Sequence, residues 1–134
     1  MGQKVHPYGF RLGYIKDWQS SWYSKTDYKN SLGEDIKIRN YIEKNLKNAA
    51  VAKTEISRSS GVVKITVSTA KPGVAIGKKG AGIDKIRNDL NKFVRDNVIF
   101  NISEVKRPDA EAKLIAENIA QQLEKRVAFR RAMK

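Results

Sequence analysis

The chain of 134 residues contains no cysteine and a single histidine, His6. Without cysteine there is no disulfide framework and no thiolate chemistry. Zinc binds clustered Cys and His side chains, and the sequence offers no such cluster. His6 lies in an irregular N-terminal stretch with no fixed partner for nucleophilic catalysis. We therefore expect no metal site, no cofactor, no small-molecule substrate and no enzymatic activity.

Long apolar runs are also missing from the sequence. No stretch of about 18 consecutive apolar residues is present, so no membrane span is predicted. The N-terminus lacks the apolar core of a signal peptide. Met1-Gly2 begins like a myristoylation site, but His6 stands where that motif has serine or threonine. These absences predict a cytoplasmic protein without a membrane partner.

Acidic residues are scarce relative to basic ones. Fourteen Asp and Glu against 27 Lys and Arg give a formal net charge of +13. Such a charge repels itself unless an anionic partner neutralises it. Hydrophobic residues at 40% and charged residues at 31% are values of a globular domain rather than of a disordered chain. Nucleic acid is therefore the leading predicted partner.

One motif, Gly77-Lys78-Lys79-Gly80, predicts a glycine-bounded loop between two helices. Glycine lets the backbone approach a ligand closely, and the start of the following helix offers unpaired N–H groups. With two lysines, the loop suits a phosphodiester backbone. The spacing fits neither a P-loop nor a dinucleotide fingerprint. Taken alone, G-x-x-G is common by chance, and a surface turn with solvated lysines also explains it.

Residues 1–30 predict an extended arm without sustained periodicity. Aromatic residues are dense in it, and cations lie between them, among them Lys4, Arg11 and Lys16. Aromatic rings can stack on bases while cations meet phosphates, so these three cations are predicted RNA contacts. The alternative is that Trp18 and Trp22 only hold the arm on the domain, and we favour it for both tryptophans.

The remaining sequence predicts an α+β domain. The capping-box spacing of Ser31 and Glu34 is expected to open a helix that runs to about residue 49. Glu34 and Asp35 would then lie in its first turn, where the helix macrodipole explains them. Strands are predicted over 51–58, 62–69 and 98–105, with the glycine loop and its two helices between the second and the third.

Residues 108–134 predict a long, basic last helix. An apolar stripe at intervals of four is expected to face the domain; it consists of Ile115, Ile119, Leu123 and Val127. The chain thus divides into an arm (1–30), an RNA-binding domain (31–107) and a C-terminal helix (108–134). The predicted fold class is α+β, with helices on one face of a small three-stranded sheet.

The segment Val74-x-Ile76-Gly77-x-x-Gly80, in the order α-β-β-α-α-β, resembles the type II KH domain of RNA-binding proteins. In that family the G-x-x-G loop clamps the backbone of about four nucleotides while an adjacent groove receives the bases. The expected RNA contacts here are Lys71, Ile76, Gly77, Lys78, Lys79, Gly80 and Lys85. Motifs outside this segment, such as Met1-Gly-Gln-Lys-Val-His-Pro, resemble the family of bacterial-type ribosomal protein three of the small subunit.

This second resemblance implies a structural place in the head of the small ribosomal subunit. The implied partners are small-subunit rRNA, messenger RNA and neighbouring head proteins, in a cytoplasmic or an organellar ribosome. In that family the cations of the Phe-Arg-Arg-Ala-Met-Lys segment face the channel by which messenger enters and help to open its secondary structure. Carried over by motif, these are Arg130, Arg131 and Lys134.

The family normally continues into a second α+β domain, which we expect to be absent from this chain because its sequence stops at the end of the basic segment. The alternative function is a free-standing KH-domain protein that acts as an RNA chaperone or regulator. The aromatic and basic arm separates the two, because a free KH module has no evident need for it.

Overall fold

The computed structural model describes residues 2–77 and 80–133. Its strands form one sheet in the order β1-β2-β3-β4; they are β1 (Ser20–Ser21), β2 (Val51–Ser59), β3 (Val62–Thr69) and β4 (Asn97–Glu104). The helices are α1 (Pro7–Phe10), α2 (Tyr28–Asn45), α3 (Pro72–Ile76), α4 (Ala81–Asn91), α5 (Ala112–Glu124) and α6 (Phe129–Ala132). The α+β class is confirmed. The sheet has four strands instead of three, because the arm adds β1.

Strand directions make the sheet mixed. β2 and β3 are antiparallel, whereas β1 runs parallel to β2 and β4 parallel to β3. Ser60 and Gly61 join β2 to β3, with φ of 43° and 77°. Positive φ at both central residues is the turn that matches the twist of a two-residue hairpin. The parallel pair β3–β4 is joined through α3 and α4, which places the glycine loop between these strands in the chain.

The core lies between one face of the sheet and the helices α2 and α4. Alternate residues of β3 and β4 point into it, as their sequence pattern predicts. In β2 the register shifts between Val51 and Lys53, so that Val51 rather than Ala52 joins the core. The largest completely buried apolar side chains are Ile38, Ile42, Ile56, Ile65, Leu90, Val63, Val67 and Val98. No residue before Ile38 belongs to this core cluster.

Helix α2 begins earlier than the capping box predicts. It starts at Tyr28, and the Ser31 N–H donates to the Asp27 carbonyl at 3.0 Å as an ordinary residue of the helix. The expected domain boundary between residues 30 and 31 therefore falls inside α2. Glu34 does not close a capping box, because its carboxylate accepts hydrogen bonds from Arg95 and Arg58. The macrodipole explanation of Glu34 and Asp35 is also wrong, because both carboxylates bind arginine side chains instead of acting on the start of a helix.

The long last helix is interrupted. α5 ends at Glu124, and Arg126 takes up φ of 60°, a left-handed conformation that stops a helix before α6 begins. The predicted stripe is half-exposed, with Ile115 at 43% and Leu123 at 45%, while Leu114 is buried at 8%. Because a helix has 3.6 residues per turn, a stripe at intervals of four drifts about 40° per step from the contacting face. None of the described helices combines the length and the apolar character needed to cross a membrane.

Candidate nucleic-acid interface

The glycine loop joins α3 to α4, as predicted. α3 ends at Gly77, which has φ of 71°, and Gly80 has φ of 84° and forms the N-cap of α4. Both values lie in the left-handed region that favours glycine, so each glycine is needed at its end of the loop. Lys78 and Lys79 lie outside the described residues. Gly80 has no side chain to cap α4, and the first N–H groups of a helix are the groups that bind anions at such an end.

The surface beside the loop is apolar in its centre and cationic at its margins. Val74 and Ile76 of α3 are 55% and 38% exposed, while Ala75 between them is buried in the core. Lys71 precedes α3 and Lys85 lies on α4, and both are exposed. Exposed apolar residues next to unpaired N–H groups and cations suit a nucleotide, whose base is flat and whose phosphate is charged. Val74 was missing from the predicted RNA contacts, although it belongs to the same short apolar turn as Ile76.

A hydrogen bond between helices fixes α4 on α2. The Tyr41 hydroxyl donates to the Asp89 carboxylate at 2.7 Å, and the Lys92 ammonium donates to the same group at 2.7 Å. The bond from Lys92, followed by that from Tyr41, lowers the pKa of Asp89. Burial and the neighbouring Asp89 raise the pKa of Tyr41 to about 12. The phenol therefore stays protonated and keeps this link at neutral pH.

The arm is anchored on the opposite edge of the sheet. Its two-residue strand β1 pairs with β2, and the Trp22 indole N–H donates to the Asp35 carboxylate at 2.8 Å. The Arg39 guanidinium reaches from α2 to the Gln19 carbonyl at 2.9 Å and to the Thr54 carbonyl at 2.7 Å. The prediction that a tryptophan holds the arm on the domain is confirmed for Trp22.

Behind Trp22 lies a cluster of buried charges. Arg58 of β2 donates to Asp35 at 2.7 Å and to Glu34 at 2.9 Å, and Arg95 donates to Glu34 at 2.8 Å. The Arg58 guanidinium also lies 6.0 Å from the Trp22 ring centroid, within reach of a cation–π interaction. Each carboxylate therefore has a cation and hydrogen bonds, which is the condition for burying charge at acceptable cost.

The pKa values in this cluster move toward the charged forms. Burial by itself would raise the pKa of Glu34, but the hydrogen bonds from Arg95 and Arg58 outweigh it, and the pKa lies below its usual value of 4.5. Burial opposes the charge of Arg58 in the same way, yet its bonds to Asp35 and Glu34 raise its pKa. Glu34 and Arg58 are thus ionised at neutral pH, and the hydrogen bonds of the cluster hold the arm.

The predicted arm contacts lie apart from the loop. Lys4, Arg11 and Lys16 are all exposed, and the Arg11 guanidinium donates to the Pro7 carbonyl at 2.8 Å. Trp18 is 63% exposed, so the prediction that it pins the arm does not hold for this side chain. The arm pairs on the β1 edge of the sheet, whereas α3 and α4 contact β4 at the other edge.

The C-terminal cations form a third group. Arg130 and Arg131 lie exposed on α6, and the Arg130 guanidinium is 5.9 Å from the Phe129 ring centroid. Lys134 lies outside the described residues. Arg131 lies four residues beyond Val127 but does not continue the stripe of α5, because the turn at Arg126 ends that helix. Within residues 2–77 and 80–133, no three metal-ligating side chains come together.

The fold combines a mixed sheet, two helices on one face of it and a glycine loop between short helices. Its family follows from comparison with known sequences. The sequence model of the KH domain family matches residues 37–110, more than half of the chain. The chain belongs to the KH domain family.

Individual relatives extend the likeness to the whole chain. It is 57% identical over 134 residues to small ribosomal subunit protein uS3 of Lawsonia intracellularis, covering all of this chain and 63% of that protein. It is 54% identical over 134 residues to the protein of the same name from Myxococcus xanthus, and 57% identical to that from Halalkalibacterium halodurans, covering 61% of each. The chain thus spans somewhat under two thirds of the length of these relatives.

These findings confirm the resemblance to small-subunit ribosomal protein three and the KH fold. The match of residues 37–110 begins within α2 and ends at the turn before α5, so it includes the loop and all of the core strands. The likeness to the ribosomal relatives also covers the arm and the basic C-terminal segment. The expectation that the chain is not an enzyme agrees with these relatives, each of which is named as a ribosomal protein.

Proposed function

We propose that the chain is a structural, RNA-binding component of the small ribosomal subunit that holds rRNA through its glycine loop. The observation that carries the proposal is the pair of glycines with positive φ, Gly77 and Gly80, of which Gly80 is the N-cap of α4 and makes no side-chain cap bond. Backbone N–H groups aimed at an anion bind phosphate without reading sequence. The likeness to uS3 proteins, which covers all of this chain and 63% of the protein from Lawsonia intracellularis, supports rRNA as the partner, in a cytoplasmic ribosome beside other head proteins.

The test replaces Lys78 and Lys79 by Asp. This change of four charges takes the formal net charge from +13 to +9. We expect loss of most binding to small-subunit rRNA, with an unchanged unfolding midpoint, because the described core is built from strands and helices outside residues 77–80. Removing two phosphate contacts should also lower the slope of log affinity against log salt by about 0.7 per contact on a single strand.

A matched control replaces Lys37 and Lys44, two exposed lysines of α2, by Asp. It makes the same charge change away from the loop. Equal losses in the two double variants would show that only overall charge matters and would contradict the loop assignment. The alternative, a free-standing RNA chaperone, predicts that the chain does not sediment with small subunits at high salt.

We propose a second role for the C-terminal cations, at the channel by which messenger RNA enters. Arg130 and Arg131 are exposed on one short helix, and no acidic residue follows Glu124. Two exposed guanidinium groups at consecutive positions of the helix could hold separated strands by their phosphates. Replacing Arg130, Arg131 and Lys134 by Ala should slow reconstituted translation through a stable hairpin and spare unstructured messenger. Equal slowing of both messengers would indicate an assembly defect instead.

A further inference from the structure

An open cleft of about 990 Å³ lies between the arm and α2, away from the glycine loop. Among its lining residues are four aromatic side chains, Tyr8, Trp18, Trp22 and Tyr28. The other lining residues are Leu, His, Arg, Gln or Ser, and neither Asp nor Glu is found among them. The described lining of the cleft thus combines aromatic and polar side chains with the cation Arg39.

The cleft has a fixed floor and an exposed rim. Trp22 forms the floor, since its indole N–H is bound to Asp35 and its ring lies 5.5 Å from the ring of Tyr28. Trp18 and Tyr28 at the rim are 63% and 57% exposed, and Leu32 beside them is 40% exposed. Clustered exposed apolar side chains mark a binding surface. Because the floor is held by charge-assisted bonds, the cleft needs little rearrangement to accept a ligand.

Charge and shape together select the occupant. The arm from residue 2 to residue 29 carries the cations Lys4, Arg11, Lys16, Lys25 and Lys29 against the acids Asp17 and Asp27. Arg39 is the cation among the described lining residues of the cleft. Flat aromatic faces on an arm with an excess of cations match an unpaired base with its phosphates, since stacking and charge then act on neighbouring parts of one nucleotide. Gln19 and Ser21, among the lining residues, offer polar groups to a base edge.

We propose that this cleft is a second RNA-binding site, which takes unpaired nucleotides by stacking a base on Trp18. The site goes beyond the proposed function, because none of its lining residues belongs to the glycine loop or to α3 and α4. The two sites lie toward opposite edges of the sheet, since the arm pairs through β1 while α3 and α4 contact β4. One single strand that follows the surface could reach both sites, or two rRNA segments could occupy them separately.

The test uses the 134-residue chain with Lys78 and Lys79 replaced by Asp, so that the loop no longer contributes. Binding of labelled decauridine is followed by anisotropy and by quenching of tryptophan fluorescence. Stacking on one aromatic side chain is worth enough that Trp18→Ala should lower the affinity about tenfold or more. Trp18→Phe, which keeps a ring for stacking, should restore most of the affinity. Quenching of tryptophan fluorescence by the RNA should also decrease in Trp18→Ala, because Trp22 is then the remaining fluorescent tryptophan.

The matched control is Tyr14→Ala, since Tyr14 is 94% exposed on the same arm but does not line the cleft. It should leave the affinity for decauridine unchanged. Equal affinities of Trp18→Ala and Tyr14→Ala would overturn the proposal. A second result would also overturn it: the chain self-associates in sedimentation through Trp18, while its RNA affinity does not depend on that residue. In that case a second copy of the chain would occupy the cleft. Either result leaves the loop proposal standing, because that proposal is tested by the lysine variants.

Discussion

The sheet has a loop edge, where α3 and α4 contact β4, and an arm edge, where β1 pairs with β2. Both edges present cations and exposed apolar side chains, but different kinds of contact hold them in place. At the loop edge, Gly77 and Gly80 take up left-handed conformations within four residues of chain, and α3 and α4 rest directly on the apolar core. At the arm edge, the contacts join residues far apart in sequence: Trp22 with Asp35, Arg58 with Glu34, and Arg95 with Glu34. One support is local backbone geometry, and the other is a buried polar network.

The difference predicts whether a mutation at each edge reduces stability or RNA binding. A backbone loop on an apolar core loses function when its charges change, but the fold beneath it does not depend on those charges. A buried network depends on every member, because a carboxylate left without its cation is a buried, uncompensated charge. Mutations in the buried network of the arm edge should therefore cost stability first and RNA binding second, and mutations in the loop the reverse.

The largest expected effect is that of Arg58→Met. This variant keeps much of the side-chain volume but leaves Glu34 with Arg95 as its remaining ion-pair partner and Asp35 with hydrogen bonds from Trp22 and Ser20. Breaking a buried pair by removing one partner costs about 3–5 kcal/mol of unfolding free energy. Urea denaturation measures it, with Lys92→Met as the control at an exposed ion pair. A cost below about 1 kcal/mol would remove the distinction between the two edges.

A smaller effect is expected for Trp22→Phe. Phenylalanine keeps an aromatic ring near Arg58 and Tyr28 but cannot donate to Asp35. A hydrogen bond to a charged group contributes about 1.5–3 kcal/mol, so the unfolding free energy should fall by that amount. Trp18→Phe is the matched control, because Trp18 is exposed, and it should change stability by less than about 0.5 kcal/mol. Equal costs in the two variants would mean that Trp22 contributes only its ring.

The pH dependence of stability should show how much the ionised Glu34 contributes at the arm edge. The pKa of Glu34 is lowered in the folded chain from a usual value of 4.5. Its ionised form therefore contributes stability that is complete above about pH 4.5 and is lost as the pH falls through the lower folded value. Thermal unfolding from pH 7 to pH 3 should show a steeper loss in the parent chain than in Glu34→Gln. Parallel curves would exclude Glu34 as a source of acid sensitivity.

The smallest effect on stability is expected for Arg130→Ala with Arg131→Ala. Both side chains are exposed, and neither belongs to the core or to an ion pair described in the structure. The unfolding free energy should change by no more than about 0.5 kcal/mol. Calorimetry of the double variant checks this, and a larger loss would show that the basic end of the chain supports the fold.

Local patterns were enough to predict most of the loop edge. The alternation of Val63, Ile65 and Val67 predicted which face of β3 is buried, and the glycine spacing predicted the turn between α3 and α4. Both depend on properties that neighbours in sequence determine, namely strand periodicity and the backbone freedom of glycine. The helical periodicity of α5 was less informative, since half-exposed isoleucine and leucine at intervals of four resemble a buried stripe.

Composition alone determined that this protein is basic, without cysteine and suited to an anionic partner, and spacing determined the order of its core strands. Only the tertiary structure decided that Glu34 and Asp35 form ion pairs with Arg58 and Arg95 instead of stabilising the start of a helix. Tertiary contacts likewise decided that Trp22 is fixed while Trp18 stays open. The physical reason is distance along the chain: ion pairs between residues 23 to 61 positions apart leave no periodic mark in sequence. Partners for buried charge become visible only when the sheet brings them together.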